Sequence, residues 1–343
     1  MSEIDELFRS VDPATGDEWR AAAETREAGL TKILAMNRSE RQQRSAASRG
    51  FTGRRRWVLG GIAVAVSVAV GFVTVFSLGP TAQPAYAVTP AALKYGPSDG
   101  QAAAILEEIA RAAEQDSSGD QDSEGGSHYF VQDSWSLSTR IDGVQVTSAI
   151  VPERREKWTE PDGSARWKVK SQPPQFRTSS QREIWEDAGS VGEDPVTYAD
   201  SRGPADASDA RNQAAPTDPA AMGRWLSLGY EGAGRGEIFD SVSERNLDRV
   251  FSRAQRAALL RYLGTLDGIT YRGSTMDRAG RQGEAFSVRS SYGGLPKVQT
   301  LIFDSRNAKI LAYEEELTES AGKLNVEIPS VILYVTYLEA RAT

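Results

Sequence analysis

Hydrophobic positions recur along this chain with three different spacings, and each spacing points to a kind of element. From Trp57 to Leu78 (WVLGGIAVAVSVAVGFVTVFSL) the run is continuous, twenty-two residues without a charge. A helix of that length spans roughly the 30 Å core of a bilayer, so a single transmembrane helix is expected there. Arg54, Arg55 and Arg56 stand before it, and Gly79 and Pro80 end it. Within it Gly61, Ala65 and Ala69 recur every four residues, the small-residue spacing that permits close helix pairing. Ala85-Tyr86-Ala87 resembles a signal-peptidase site, but the apolar run is longer than a signal core and fifty-six residues precede it, so a retained anchor is the reading taken.

The helical spacing of i, i+3, i+4 appears on both sides of this stretch. Residues 1–56 read as a short cytoplasmic tail with one helix, on which Trp19, Ala23, Leu30, Ile33 and Leu34 fall near one face. Such a lone helix has too little apolar surface to fold alone, so a weakly ordered tail is expected, with docking on a partner protein as the alternative. Residues 79–126 read as a spacer, a helix over Ala91–Gln115 and a flexible acidic linker. Asp120, Asp122, Glu124 and Gly125 imitate a calcium loop but place Val131 where its bidentate Glu belongs. Further on, Asp218-Pro219 caps a helix to about Leu228, followed by helices over Glu237–Phe251 and Arg253–Leu263.

Residues 127–343 otherwise alternate with period two. Tyr129 to Leu137 and Val144 to Ile150 flank Asp142-Gly143 as a hairpin. Residues 156–160 and 165–169 flank Pro161-Asp162-Gly163-Ser164, with Trp158 and Trp167 expected to pair across the turn. Arg182–Trp185 suggests a short strand, and residues 186–218 a long loop. Ile269–Met276, Glu284–Ser291, Val298–Phe303, Lys309–Glu316 and Val331–Leu338 supply the remaining strands. Strands on either side of inserted helices predict an α+β fold: one transmembrane helix plus an extracytoplasmic curved antiparallel sheet, half-barrel-like.

Charge sets the orientation expected for such an anchor. Seven arginines and one acid, Glu40, lie between Arg38 and Arg56, and the first cation after Leu78 is Lys94. The positive-inside rule then places the N-terminus in the cytoplasm and the C-terminal domain outside a cell membrane. The net charge of −7 argues against nucleic acid as a partner. The chain has no cysteine, which excludes disulfides, thiolate metal sites and a thiol nucleophile, and only one histidine, His128, so multi-histidine metal sites are excluded too.

Candidate chemistry is sparse. No phosphate-binding loop, nucleophile elbow or metalloprotease motif occurs, and no catalytic residue, cofactor or metal is expected. Glu314-Glu315-Glu316 offers carboxylates, of which Glu314 and Glu316 share a face while Glu315 points the other way; a solvated strand end is expected. His128 is expected to be exposed. Trp135, Trp158, Trp167, Trp185 and Trp225 are the candidates to line an apolar cavity for an apolar ligand.

The order of pieces is similar to that of a family of actinobacterial single-pass membrane proteins known by a locus tag. The likeness rests on the basic tail and span, the Trp158, Asp162, Gly163 hairpin, Pro216-Thr217-Asp218-Pro219-Ala220, the exit Leu266-Asp267-Gly268-Ile269, Ala279-Gly280-Arg281-Gln282-Gly283 and Leu301-Ile302-Phe303-Asp304. It implies no catalytic residues. The closing hairpin, residues 301–317, also resembles those of lipoprotein-carrier and sigma-regulator domains, which implies an unclosed barrel around a greasy hollow. The function expected is a membrane-anchored extracytoplasmic binding or sensor protein, with the lipid bilayer and a cytoplasmic or envelope protein as partners. An envelope enzyme or a passive structural protein are the alternatives.

Overall fold

The structure is a computed structural model that describes residues 89–116, 126–142, 145–176, 178–187, 197–206, 208–230, 232–324 and 326–343. Its strands are β1 (His128–Asp142), β2 (Gln145–Thr159), β3 (Ala165–Ser171), β4 (Thr197–Arg202), β5 (Thr270–Met276), β6 (Gln282–Ser290), β7 (Lys297–Phe303), β8 (Ile310–Leu317) and β9 (Ser330–Ala342). Its α-helices are α1 (Ala102–Gln115), α2 (Ser179–Asp187), α3 (Pro219–Leu226), α4 (Arg235–Arg245) and α5 (Arg253–Leu263). The strands form one antiparallel sheet in the order β4-β3-β2-β1-β9-β8-β7-β6-β5. The chain runs outward from β1 to β4, crosses through the helices, and runs inward from β5 to β9. β9 then pairs with β1 and joins the two halves.

Period two explains the core. Phe286, Val288, Leu301, Phe303, Tyr313, Val335 and Tyr337 pack against the helices. Opposite them lie Leu106 and Ile109 of α1, Met222 and Leu226 of α3, Ile238, Phe239 and Val242 of α4, and Leu259, Leu260 and Leu263 of α5. Each such large side chain contributes about 1.5–3 kcal/mol of transfer free energy. The helices begin where their sequences provide caps. Asp218 accepts from the Ala221 amide at the start of α3, and Ser252 and Gln255 form a reciprocal capping box on α5.

The opposite face carries a strap. Residues 91–100, expected to begin a helix, are not helical, and α1 starts only at Ala102. Gly96-Pro97 and Gly100 interrupt the helical pattern. The Gly96 amide donates to the Ser274 carbonyl at 2.8 Å, and Tyr95 bridges to Thr275 on edge strand β5. Leu93 and Tyr95 cover Ala285, Ile302, Leu311 and Ala312. Gly273 (φ 94°) makes this approach feasible: a Cβ there would lie 2.5 Å from the Gly96 carbonyl oxygen.

The expected fold class is corrected. What the structure describes is one nine-stranded sheet with five α-helices, and none of these helices is long and apolar enough to cross a membrane. The longest, α1, has 14 residues, about 21 Å at 1.5 Å per residue, and it is amphipathic. The single-pass cell-membrane placement, with N-terminus inside and C-terminal domain outside, is therefore not upheld. The stretch that suggested it, Trp57 to Leu78 with Gly61, Ala65, Ala69 and Arg54–Arg56, lies outside the described residues. So do the helix expected in residues 1–56 and the calcium-loop imitation.

Smaller departures have local causes. Arg182–Trp185 is part of helix α2, and the loop expected at residues 186–218 contains β4 and a 3-10 turn, Ala210–Asn212. Trp158 pairs with Arg166 and Trp167 with Lys157, so this register puts the two tryptophans on opposite faces of the sheet.

Candidate functional site

Buried residues of alternating strands are apolar at one end of the helix-facing side and polar at the other. On β7, Leu301 and Phe303 are core, whereas Lys297 and Gln299 occupy the same face with 4% and 0% exposure. On β8 the equivalent polar positions are Tyr313 and Glu315, both 1% exposed. Helix α4 lies over this end. Its Gly236 permits the contact, since a Cβ would sit 2.5 Å from the Ser290 side chain and 2.7 Å from Gln299 Oε1.

The polar groups form a chain with one direction. Ser290 Oγ donates to Gln299 Oε1 (2.6 Å), Gln299 Nε2 donates to the Tyr313 hydroxyl (2.8 Å) and to the Gly236 carbonyl (3.0 Å), and Tyr313 donates to Glu315 Oε1 (2.7 Å). Lys297 Nζ completes the carboxylate at Glu315 Oε2, 2.7 Å away. Every member has a partner, which a buried network requires. Burial, with Glu315 and Asp240 near, pushes the Tyr313 hydroxyl well above its usual range and keeps it a donor.

Toward the surface the seam changes character. Asp240 and Glu244 lie one turn apart on α4, and Tyr230 of the α3–α4 connection reaches both. Its hydroxyl is 3.0 Å from Asp240 Oδ2 and 2.9 Å from Glu244 Oε2. Glu244 is exposed and Asp240 half-buried as a residue, but the Asp240 carboxyl is turned inward to Tyr230, which is 8% exposed. Burial, then Glu244 and Glu315, push the Asp240 carboxyl up to about 7, against the pull of Tyr230 and Lys297. Neither Asp240 nor Glu244 forms an ion pair with a described residue. Tyr292 of the β6–β7 turn stands beside Tyr230, ring centres 6.2 Å apart, with Lys297 Nζ 5.8 Å from its ring centre. A phenol has one proton to donate, and here two carboxylates face it.

The opposite side of β8 holds a second buried carboxylate. Glu314 is 5% exposed and bound by Arg278 of the β5–β6 turn, Nε to Oε2 at 2.7 Å. Burial outweighs this guanidinium and raises the Glu314 carboxyl to about 7. Arg278 also lies over the Tyr334 ring and donates to the Ala91 carbonyl of the strap (3.1 Å). Glu314 and Glu315 are thus interior, with their solvation replaced by Arg278 and Lys297, while Glu316 is half-buried. The alternation of Glu314 and Glu315 between faces is as the strand pattern requires.

The five tryptophans do not gather. Trp135 stacks on Tyr334 and Trp158 packs on Tyr129, both on the face away from α4. Trp167 lies on the other face. Trp185 is buried on α2 beside Phe176, and Trp225 on α3 lies under Arg245 and Arg249. The side of the sheet expected to be hollow is filled by the core. An apolar groove of about 720 Å³ opens elsewhere, between α3 and α5, lined by Ala220, Gly223, Leu228 and Tyr262 among others. His128 is half-buried at the start of β1, edge-on to Phe130. Among the described residues no group of three metal-ligating side chains occurs.

The residues that sequence reasoning missed, Asp240, Glu244, Tyr230, Lys297 and Gln299, carried a readable sign in part. Lys297 and Gln299 share the parity of Leu301 and Phe303, and Asp240 and Glu244 are spaced i, i+4. No family model matches the chain, and no curated protein matches it.

Proposed function

We propose that this domain is a binding or sensing module that takes a small organic cation at Asp240 and Glu244. The observation that carries the reading is the Tyr230 hydroxyl set between two carboxylates with which no described cation forms an ion pair. An ammonium group supplies three N–H donors and a positive charge, which is what one phenolic proton cannot give both acids. The buried layer beneath supports this choice, because Lys297 and Glu315 satisfy one another and leave the charge excess at the surface end. Tyr230 and Tyr292 add aromatic faces suited to a cation.

The test is calorimetric titration with 1,4-diaminobutane. Saturable binding is expected to the native protein and to be lost in Asp240→Asn combined with Glu244→Gln. Since the Asp240 carboxyl titrates at about 7, affinity is expected to rise between about pH 6 and about pH 8. Equal heats from native and doubly substituted protein overturn the reading.

A further inference from the structure

We propose that the strap on one face of the sheet and the polar seam on the other form one coupled device, joined through β8. The two sides meet at consecutive residues. Glu315 points into the seam, where Lys297 is its counter-ion, and Glu314 points to the strap side, where Arg278 is its counter-ion. Both carboxylates are interior, so neither can trade its partner for water. A displacement of Glu315 is therefore taken up by the strand itself and passed to Glu314.

The two neighbours of β8 differ at that place. The β8–β9 ladder skips Ile332 between the pairs Glu315–Leu333 and Glu316–Val331, so the extra residue lies on β9, while β7 pairs with Glu314, Glu315 and Glu316 in regular register. Farther along, Tyr313 and Ala312 pair with Val335 and Thr336 without interruption. Glu314 and Glu315 thus sit on a stretch of β8 paired on both sides, which carries a displacement of one to the other.

On the strap side the consequence falls on few bonds. Arg278 binds Glu314 and the Ala91 carbonyl with the same guanidinium, so one side chain ties β8 to the strap. The rest of the strap is held by Thr89 to Ser330 (2.8 Å), by Thr275 Oγ1 to the Lys94 carbonyl (2.8 Å) and by the Gly96 amide. The Lys94 and Gly96 attachments grip β5, the strand that leads into the turn carrying Arg278. A change at Glu315 therefore loosens or tightens the strap as a unit.

This rests on the seam being the ligand site, but its test needs no ligand. Native-state hydrogen exchange of the Gly96 amide is compared with that of Leu301 in the core, in native protein, Arg278→Leu, Lys297→Met and Glu315→Gln. Expected is a loss of Gly96 protection of about tenfold relative to Leu301 in Arg278→Leu, and a loss in the same direction in Lys297→Met and Glu315→Gln. Gly96 protection unchanged in both seam variants overturns the coupling, and protection unchanged in Arg278→Leu overturns the tie itself. Either result leaves the diamine titration to decide the binding site independently.

Discussion

With its carboxyl pushed up to about 7, Asp240 holds a proton in the folded protein at pH values where the unfolded chain has released it. The folded value lies above the ordinary 3.8, so the stabilisation is fully present below about pH 4 and is lost as pH rises through about 7. Glu314 has the same sign for the same cause. The urea midpoint is therefore expected to fall between about pH 5 and about pH 8, and to fall less steeply in Asp240→Asn or Glu314→Gln. Gly236 is the other residue on which the seam depends. Gly236→Ala pushes a methyl into Ser290 and Gln299, and such overpacking costs about 1–3 kcal/mol, read from urea denaturation. Of the seam residues, Lys297 and Gln299 were legible as polar side chains on a buried parity. Tyr230 was not, because its role comes from a loop carried over α4 by tertiary packing.

Elements were legible where local and global preferences agreed. Helix α5 lies where Arg253–Leu263 was expected, because period and terminus coincide and Ser252 with Gln255 closes its first turn. Ser252→Ala is expected to cost about 1 kcal/mol, measured by thermal or urea unfolding. The strap was misread because Ala91, Ala92 and Leu93 favour a helix, whereas Lys94 and Gly96 bond to β5 instead. Helix α2 was misread the other way: Ile184 and Trp185 suggest a strand, yet the burial of Trp185 is achieved from a helix. The tryptophan pair at Trp158 and Trp167 failed by one residue of register, which in a strand is the difference between one face and the other.

At the scale of the whole molecule the two halves of the sheet are unequal. All residues of β7 are buried, whereas β4 is exposed over most of its six. Amide exchange measured by mass spectrometry is expected to be slowest in β6–β8 and fastest in β4, with β1 and β9 between them. Leu260→Ala, in the core shared by α5 and the sheet, is expected to cost about 2–5 kcal/mol by urea denaturation. That the sheet would be antiparallel with helices inserted was legible from alternating runs. That β9 returns to β1 was not, because pairing across two hundred residues leaves no local mark. The two margins of the sheet also differ. Along β5 the chain's own residues 94–96 occupy part of the rim, while β4 has no described strand beyond it. A protein trimmed of residues 89–100 would bare both a hydrogen-bonding border and the greasy flank formed by Ala285, Ile302 and Ala312. Its fate at high concentration would then be self-association through the side the intact chain keeps shut.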